Sequence, residues 1–224
     1  RVEGHLAWLA DHDPLTNMFN RRRFSEELEQ VLSHAERYRH PGALLFFDLD
    51  RFKYINDTSG HQAGDTLLKM VAGMLAQTIR TDDITGRLGG DEFAIILPEI
   101  NASGAIEVAK KVLDQLSLAQ LTISNRTHKI SASIGIALFP EHGANIHDLL
   151  AAADLAMYQA KAMGRNAWYL FSDKDRSRER MHTLVYWKEK IEHSHLHDNF
   201  VLYLQPIMHV KSKQISHYEV LLRM

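Results

Sequence analysis

Acidic side chains stand beside apolar runs at two separate places in this sequence. Asp48 and Asp50 close the run 43–49, which is typical of a strand buried on both faces. Asp91 and Glu92 follow two glycines between two short apolar runs. Each pair has an alternative interpretation as an ordinary polar turn. Together, Asp48 and the acids of the glycine turn could hold Mg²⁺, which takes one or two protein carboxylates and phosphate oxygens.

Three further polar groups have a chemical and a structural interpretation. We interpret residues 56–65, which are mostly polar, as a loop that lines a ligand pocket or as a turn that caps a helix. Lys161 and Arg165 lie one helical turn apart near a predicted helix end, where cations are ordinary partners of the helix dipole. An H-x-H-x-H run could ligate a metal, but no carboxylate motif completes it, so a solvated helix end is favoured: His193, His195 and His197.

Hydrophobic periodicity predicts the elements that must position these groups. Helical spacing of apolar residues predicts helices over 20–38, 67–79, 106–116 and 146–161, with Gly164 as the C-cap of the last. Short apolar runs predict strands at 43–49, 84–88, 93–97, 129–138 and 167–171. The runs on either side of residues 89–92 predict a β-hairpin. We therefore expect an α+β fold with a mixed, partly antiparallel central sheet flanked by helices, of the ferredoxin-like or palm kind.

The pattern changes after residue 172. A charge cluster at 173–180 predicts a linker that becomes a helix through about His195, and two strand-like runs follow. Two strands and one helix are too little to bury a core, so we expect the incomplete start of a second domain. The expected organisation is the end of an upstream helix at 1–12, the main domain at 13–172, a linker helix at 173–198 and the second domain at 199–224.

Composition excludes several classes of protein. The 224 residues include 26 Lys plus Arg against 28 Asp plus Glu, and this balance argues against a nucleic-acid binder. The chain has no Cys, which excludes a disulfide scaffold and a Cys nucleophile. Its apolar runs are far shorter than the ~20 residues that span a bilayer. We expect a cytoplasmic location, either alone or as the cytoplasmic part of a membrane-anchored protein. A first residue other than Met suggests a piece of a longer protein.

Taken jointly, the motifs resemble the GGDEF family, the diguanylate cyclases. The signature is intact as Gly89-Gly90-Asp91-Glu92-Phe93. The resemblance covers about residues 13–171 and includes Asp13-Pro14-Leu15-Thr16, Asn20-Arg21-Arg22, residues 47–65, Ser133-Ile134-Gly135-Ile136, residues 153–158 and Gly164-Arg165-Asn166. One departure is Asn17, where the family commonly has Gly, and Asn tolerates the left-handed conformation better than most residues.

The tail is similar to the start of an EAL domain, the family of cyclic di-GMP phosphodiesterases. The similar segments are Gln205-Pro206-Ile207 and Glu219-Val220-Leu221-Leu222-Arg223, where the signature reads Glu-Val-Leu. This resemblance implies a tandem protein with an upstream sensor domain and a downstream EAL domain as partners.

The GGDEF resemblance implies condensation of two GTP into cyclic di-GMP by a homodimer, with Mg²⁺ or Mn²⁺ as cofactor. The implied metal ligands are Asp48, the Leu49 carbonyl and Asp91. The implied catalytic residues are Asp91, Glu92 and Lys53. The implied GTP-binding residues are Asn56 and Asp65 at guanine, His61 in the same loop, and Lys161 and Arg165 at the terminal phosphates. Arg80 and Asp83 form an R-x-x-D motif at the family's inhibitory product site, with a helix end as the alternative. The other open function is a catalytically silent module that binds GTP or cyclic di-GMP and regulates an attached EAL phosphodiesterase.

Overall fold

The computed structural model describes residues 8–123, 126–174 and 201–223. The helices are α1 (Arg21–Tyr38), α2 (Phe52–Ser59), α3 (His61–Thr78), α4 (Ala102–Leu118) and α5 (Ile146–Ala162). The strands are β1 (Gly42–Leu49), β2 (Ile84–Gly89), β3 (Glu92–Leu97), β4 (Gln120–Ile123), β5 (Arg126–Lys129), β6 (Ala132–Phe139), β7 (Ala167–Leu170), β8 (Val201–Met208) and β9 (Ile215–Arg223).

A mixed five-stranded sheet forms the centre of the first unit, in the order β2-β3-β1-β6-β7. Strand β1 pairs antiparallel with both β3 and β6, whereas β6 and β7 are parallel. The α+β class predicted from the sequence is therefore confirmed. In this register Asp48 lies opposite Glu92 on one neighbouring strand and Ser133 on the other. The end of β1 thus meets the β2–β3 turn and the start of β6.

The central strand β1 is buried on both faces, as its apolar run predicts. Leu45, Phe47 and Leu49 pack into the core cluster that includes residues of α3 and α4. Leu44 and Phe46 point to the opposite face and pack with residues of α1 and α5. Because successive strand residues alternate between faces, one strand supplies both cores and fixes its own register.

Three parts of the sequence prediction are corrected by the structure. Residues 56–65 are not a loop: they form the end of α2 and the start of α3, separated by Gly60 at φ +84°. The strand predicted at 129–138 is present as β6 but begins at Ala132, because Lys129 is the last residue of β5 and belongs to a β4–β5 hairpin. Gly164 is not the C-cap of α5 but the residue after it, since Met163 occupies the cap.

Residues 177–224 form a separate unit, in which the described part is the antiparallel hairpin of β8 and β9. The predicted linker helix at 173–198 lies almost wholly outside the described residues, as do His193, His195 and His197. At the other end of the chain, residues 8–11 are helical and Leu9 is 37% exposed, while Leu6 lies outside the described residues. No helix within the described ranges has the length and apolar character needed to cross a membrane.

Candidate active site

The end of β1 and the β2–β3 turn bring two of the predicted acids together. The backbone N–H of Leu49 donates to the Asp91 carbonyl oxygen at 3.3 Å, so the two segments are in direct contact. Burial raises the pKa of Asp91, and the negative charge of Asp48 raises it further, against smaller lowering contributions that include Lys161 and Arg87. Asp48 and Asp91 therefore form one electrostatically coupled centre.

Lys161 lies at this acid centre. It occupies the last turn of α5, and its Nζ donates to Asp48 Oδ2 at 2.5 Å. Its side chain is 29% exposed and that of Asp48 is 19% exposed, so the ion pair is largely shielded from water. The family resemblance implies a role for Lys161 only at the terminal phosphates. In the structure it also neutralises a predicted metal ligand.

The two carboxylates suit a hard divalent cation. In the described part of the chain, no group of three or more His, Asp or Glu side chains is arranged to hold an ion. The predicted ligands Asp48 and Asp91 lie at this centre, and the backbone of Leu49 is next to them through its hydrogen bond to Asp91. Mg²⁺ is commonly held by one or two carboxylates and completes its shell with water and substrate phosphates, so this donor set fits it.

Glu92 has a different surrounding from Asp91. Arg21, at the first position of α1, donates to Glu92 Oε2 at 3.1 Å and, through Nε, to the Leu88 carbonyl at 2.8 Å. The carboxylate of Glu92 is therefore paired with a cation that sequence reasoning did not assign to the site. The arginine also ties the start of α1 to the end of β2.

Arg87 clamps the glycine turn, a role that the sequence did not reveal. Its guanidinium donates to the Gly90 carbonyl at 2.7 and 3.0 Å and to both oxygens of Asp13 at 3.0 and 3.1 Å. Gly90 has φ +45°, a conformation that favours glycine. Burial raises the pKa of Asp13, but hydrogen bonds from Thr16 and Arg87 outweigh it and the net pKa lies below the ordinary value.

Asp50, grouped with Asp48 in the sequence, is fully engaged in structural hydrogen bonds. Its two oxygens accept from the hydroxyls of Ser131 and Ser133, each at 2.7 Å, and from the backbone N–H of Asn166 at 3.0 Å. Asn166 follows Arg165 in the loop after α5. Asp50 thus fixes the loop that carries Arg165, and the latter is exposed.

The helices α2 and α3 carry the other predicted substrate residues. Asn56 Oδ1 is buried and has no hydrogen-bond partner among the described residues. A Cβ at Gly64 would lie 2.1 Å from this oxygen, so glycine keeps the space around it open. Asp65 follows Gly64 on α3 and is exposed. Two further predicted residues are also exposed: Lys53 and His61.

The R-x-x-D motif lies in the turn between α3 and β2. Strand β2 separates it from the glycine turn along the chain. The backbone N–H of Arg80 donates to Asp83 Oδ2 at 2.8 Å. Burial is the main cause that raises the pKa of Asp83. Arg80 itself is exposed, so its guanidinium faces solvent while Asp83 shapes the turn.

Comparisons with known proteins agree with this architecture. The bifunctional diguanylate cyclase/cyclic di-GMP phosphodiesterase MucR of Pseudomonas aeruginosa is 38% identical over 225 residues, which cover all of this chain and 32% of MucR. A solved GGDEF domain of PA1120 (TpbB or YfiN) from the same species has a TM-score of 0.72 at 40% identity, covering 75% of this chain and 99% of that one. The GGDEF domain of DgcB from Caulobacter crescentus, solved in complex with c-di-GMP, has a TM-score of 0.68 at 33% identity, covering 72% and 93%.

The chain spans between 14% and 38% of the length of five curated relatives. The family model described as "Diguanylate cyclase, GGDEF domain" matches residues 10–167, a range that contains the sheet, the acid centre and the glycine turn. On this match and on the relatives above, the chain belongs to the GGDEF diguanylate cyclase domain family.

Proposed function

We propose that this chain is a diguanylate cyclase module that condenses two GTP into cyclic di-GMP. The observation that carries the proposal is the coupled centre of Asp48 and Asp91, with Lys161 paired to Asp48 at 2.5 Å. Phosphoryl and nucleotidyl transfer depends mainly on positioning and charge neutralisation, and this centre offers acids for a metal and a cation for phosphate.

Mg²⁺ would be held by Asp48, Asp91 and the Leu49 carbonyl, and when bound it would polarise the α-phosphate and neutralise its charge. Lys161 can leave Asp48 for a phosphate oxygen once a metal takes over the charge of that carboxylate. Arg165 lies in the following loop and is held in place through Asp50 and Asn166. Both cations are thereby available to the terminal phosphates.

Guanine recognition is assigned to α2 and α3. The Asn56 side chain has a buried oxygen without a partner in the described ranges, and leaving such a group unpaired costs free energy that a ligand donor would recover. Guanine presents N–H groups that can donate hydrogen bonds to amide and carboxylate oxygens. Asn56 and Asp65 would read the base, with His61 near the substrate and Lys53 near phosphate.

Each domain offers one such site, so the reaction needs two domains face to face. The 3′-oxygen of one GTP attacks the α-phosphorus of the other, the O–P bond forms, and the bond to the β-phosphate oxygen breaks with release of pyrophosphate. The 3′-hydroxyl proton passes to a base, for which Asp91 is the candidate. Glu92, held by Arg21, is the second acid assigned to this step. Repetition at the partner closes the ring.

The domain organisation is part of the same proposal. We assign residues 1–12 to the end of a helix from an upstream sensor, 13–172 to the GGDEF domain, 173–198 to a linker helix and 199–224 to the start of an EAL domain. Support comes from MucR, which matches the whole chain and whose name includes a phosphodiesterase. The β8–β9 hairpin carries many exposed apolar side chains, such as Leu202, Leu204 and Val220.

Incubation of the chain with GTP and Mg²⁺, followed by chromatography of the products, tests the proposal. Cyclic di-GMP formation that increases with the square of protein concentration at low concentration is the expected result. GTP binding without product, in a chain shown to dimerise, would contradict cyclase activity and favour the silent regulatory module.

A further inference from the structure

Helix α2 carries Asn56, the residue assigned to guanine, but its own sequence holds it only weakly. The structure describes all eight of its residues, and of these only Ile55 is buried. No side chain caps its first turn. A helix this short is marginally stable by itself, so contacts with other elements must fix its position. Movement of α2 would displace the Asn56 amide from the base.

One side-chain hydrogen bond joins α2 to another element, among the side chains that the structure describes. Ser59 is the last residue of α2, and its Oγ lies 2.9 Å from Nε2 of His128 in β5. Both residues are half-buried. Either atom can donate, so the bond forms with both tautomers of the imidazole. Ser59 follows Asn56 by three residues, and residues three apart are neighbours on a helix surface.

The β4–β5 hairpin gives His128 a fixed base. In the register of the hairpin, His128 lies directly opposite Leu121, and side chains of directly opposed residues lie on the same face of the strand pair. Leu121 is 5% exposed and packs into the core cluster together with Ile130, the residue after β5. The imidazole therefore reaches α2 from a hairpin that is anchored in the core.

The junction of α2 and α3 leaves little free space around the Asn56 amide. The backbone N–H of Gly60 donates to the Asn56 carbonyl at 2.9 Å, and a Cβ at Gly64 would lie 2.1 Å from Asn56 Oδ1. A small displacement of either helix would close the approach to this oxygen. Ser59 directly precedes Gly60, where the chain turns from one helix to the other, so a bond at Ser59 acts on the junction itself.

We propose that His128 is a positioning residue for guanine: it fixes the end of α2 through Ser59 and so holds the Asn56 amide in place to read the base. The inference rests on the proposed function, which assigns Asn56 to guanine. The expected effect is selective for the base. The cations assigned to the terminal phosphates, Lys161 and Arg165, belong to α5 and the loop after it, and they do not depend on the Ser59–His128 bond.

Calorimetric titration with 3′-deoxy-GTP in Mg²⁺ measures nucleotide binding without turnover, because this nucleotide lacks the attacking hydroxyl. His128→Ala should weaken its binding about two- to tenfold, the range for one net hydrogen bond. Ser59→Ala should have the same effect, although Ala is a better helix former than Ser. The double variant should lose no more than either single variant. His128→Gln should restore binding in part, because its amide can replace Nε2 in the hydrogen bond.

Inorganic triphosphate and Thr122→Ala serve as matched controls. Triphosphate has no base, so His128→Ala should leave its binding unchanged. Thr122 is exposed and its hydroxyl bonds to that of Thr127 within the hairpin, so Thr122→Ala should leave nucleotide binding unchanged. With GTP as substrate, His128→Ala should raise KM by the same factor as the loss of binding and leave kcat nearly unaltered, as expected when an interaction is lost equally from the ground state and the transition state.

Equal binding of 3′-deoxy-GTP by His128→Ala and the unaltered chain, or an equal loss of triphosphate binding, overturns the proposal. Additive losses in the double variant also overturn it, because the two side chains would then act independently. If the unaltered chain binds no 3′-deoxy-GTP, the guanine assignment fails and the proposal with it. Selective loss of 3′-deoxy-GTP binding in a chain that makes no cyclic di-GMP would support the positioning role and contradict cyclase activity alone.

Discussion

Burial and the adjacent charge of Asp48 raise the pKa of Asp91, and this links metal binding to pH. Only the ionised carboxylate is a good ligand for a divalent cation. Affinity for Mg²⁺ should therefore decrease as the pH is lowered through the raised pKa of Asp91, at a pH above that at which an ordinary Asp titrates. Calorimetric Mg²⁺ titrations at a series of pH values measure this dependence.

The Asp48→Asn variant tests whether the charge of Asp48 contributes to the raised pKa of Asp91. It removes the negative charge that raises the pKa of Asp91 but keeps nearly the same shape and leaves burial in place. A carboxyl ¹³C titration of metal-free protein should then give a lower pKa for Asp91 than in the unaltered chain. An unchanged Asp91 pKa would show that the two acids are not coupled.

Asp91→Asn should abolish turnover with little effect on the fold. A carboxyl whose pKa is raised in the folded state destabilises the fold when it ionises, because the unfolded chain ionises it at a lower pH. Because Asn does not ionise, the free energy of unfolding of the variant at neutral pH should equal that of the unaltered chain within about 0.5 kcal/mol, or be slightly higher. Urea unfolding and the rate of cyclic di-GMP formation measure the two effects. Turnover at the rate of the unaltered chain would exclude Asp91 from the metal site.

At the scale of elements, the Arg87 clamp joins the N-terminal segment to the β2–β3 turn. The Arg87 and Asp13 side chains are 14% and 20% exposed, so removal of one leaves the other poorly solvated. Arg87→Ala should lower the free energy of unfolding by about 1–3 kcal/mol, measured by urea denaturation. A double-mutant cycle with Asp13→Asn should give a coupling of about 0.5–3 kcal/mol.

The stability that Asp13 contributes should also depend on pH in a defined direction. Because the folded-state pKa of Asp13 is below its ordinary value, its ionised form contributes stability above the unfolded-state pKa. That contribution should be lost as the pH decreases through the lowered folded-state pKa. In Arg87→Ala the loss should be smaller. Additive effects of the two substitutions, with equal pH profiles, would show that the clamp is energetically unimportant.

The sequence predicted most of the elements because their apolar periodicity is strong, as in β1 and α5. It missed the helical state of residues 56–65, since polar residues and glycine there favour turns locally while Ile55 and Ala63 pack into the core. It singled out Asp48 and Asp91 as candidates but did not predict the contacts made by Arg21, Arg87 or Asp50. Those contacts join residues 67–83 positions apart, and only the strand order brings them together.

At the scale of the whole molecule, the proposed reaction needs two GTP sites to meet, so a ligand that keeps two domains apart would inhibit it. We propose that Arg80 and Asp83 bind the product for this purpose. Arg80 is exposed, and its backbone N–H donates to Asp83 Oδ2, which stabilises the turn. A guanidinium can donate to phosphate or to a guanine edge, and a carboxylate can accept from guanine N–H groups.

Arg80→Ala should therefore weaken cyclic di-GMP binding and raise the yield reached before the reaction stops, with little change in initial rate. Arg80→Lys separates charge from shape, because it keeps the charge but loses the planar fork, and it should restore binding only in part. Lys110→Gln removes a distant charge and should leave both yield and binding unaltered. Progress curves with GTP, and calorimetric titration with cyclic di-GMP, measure these effects. Product binding by Arg80→Ala as tight as in the unaltered chain would leave Arg80 with a role only in the turn between α3 and β2. Inhibition by separation of the two domains would then need another contact surface.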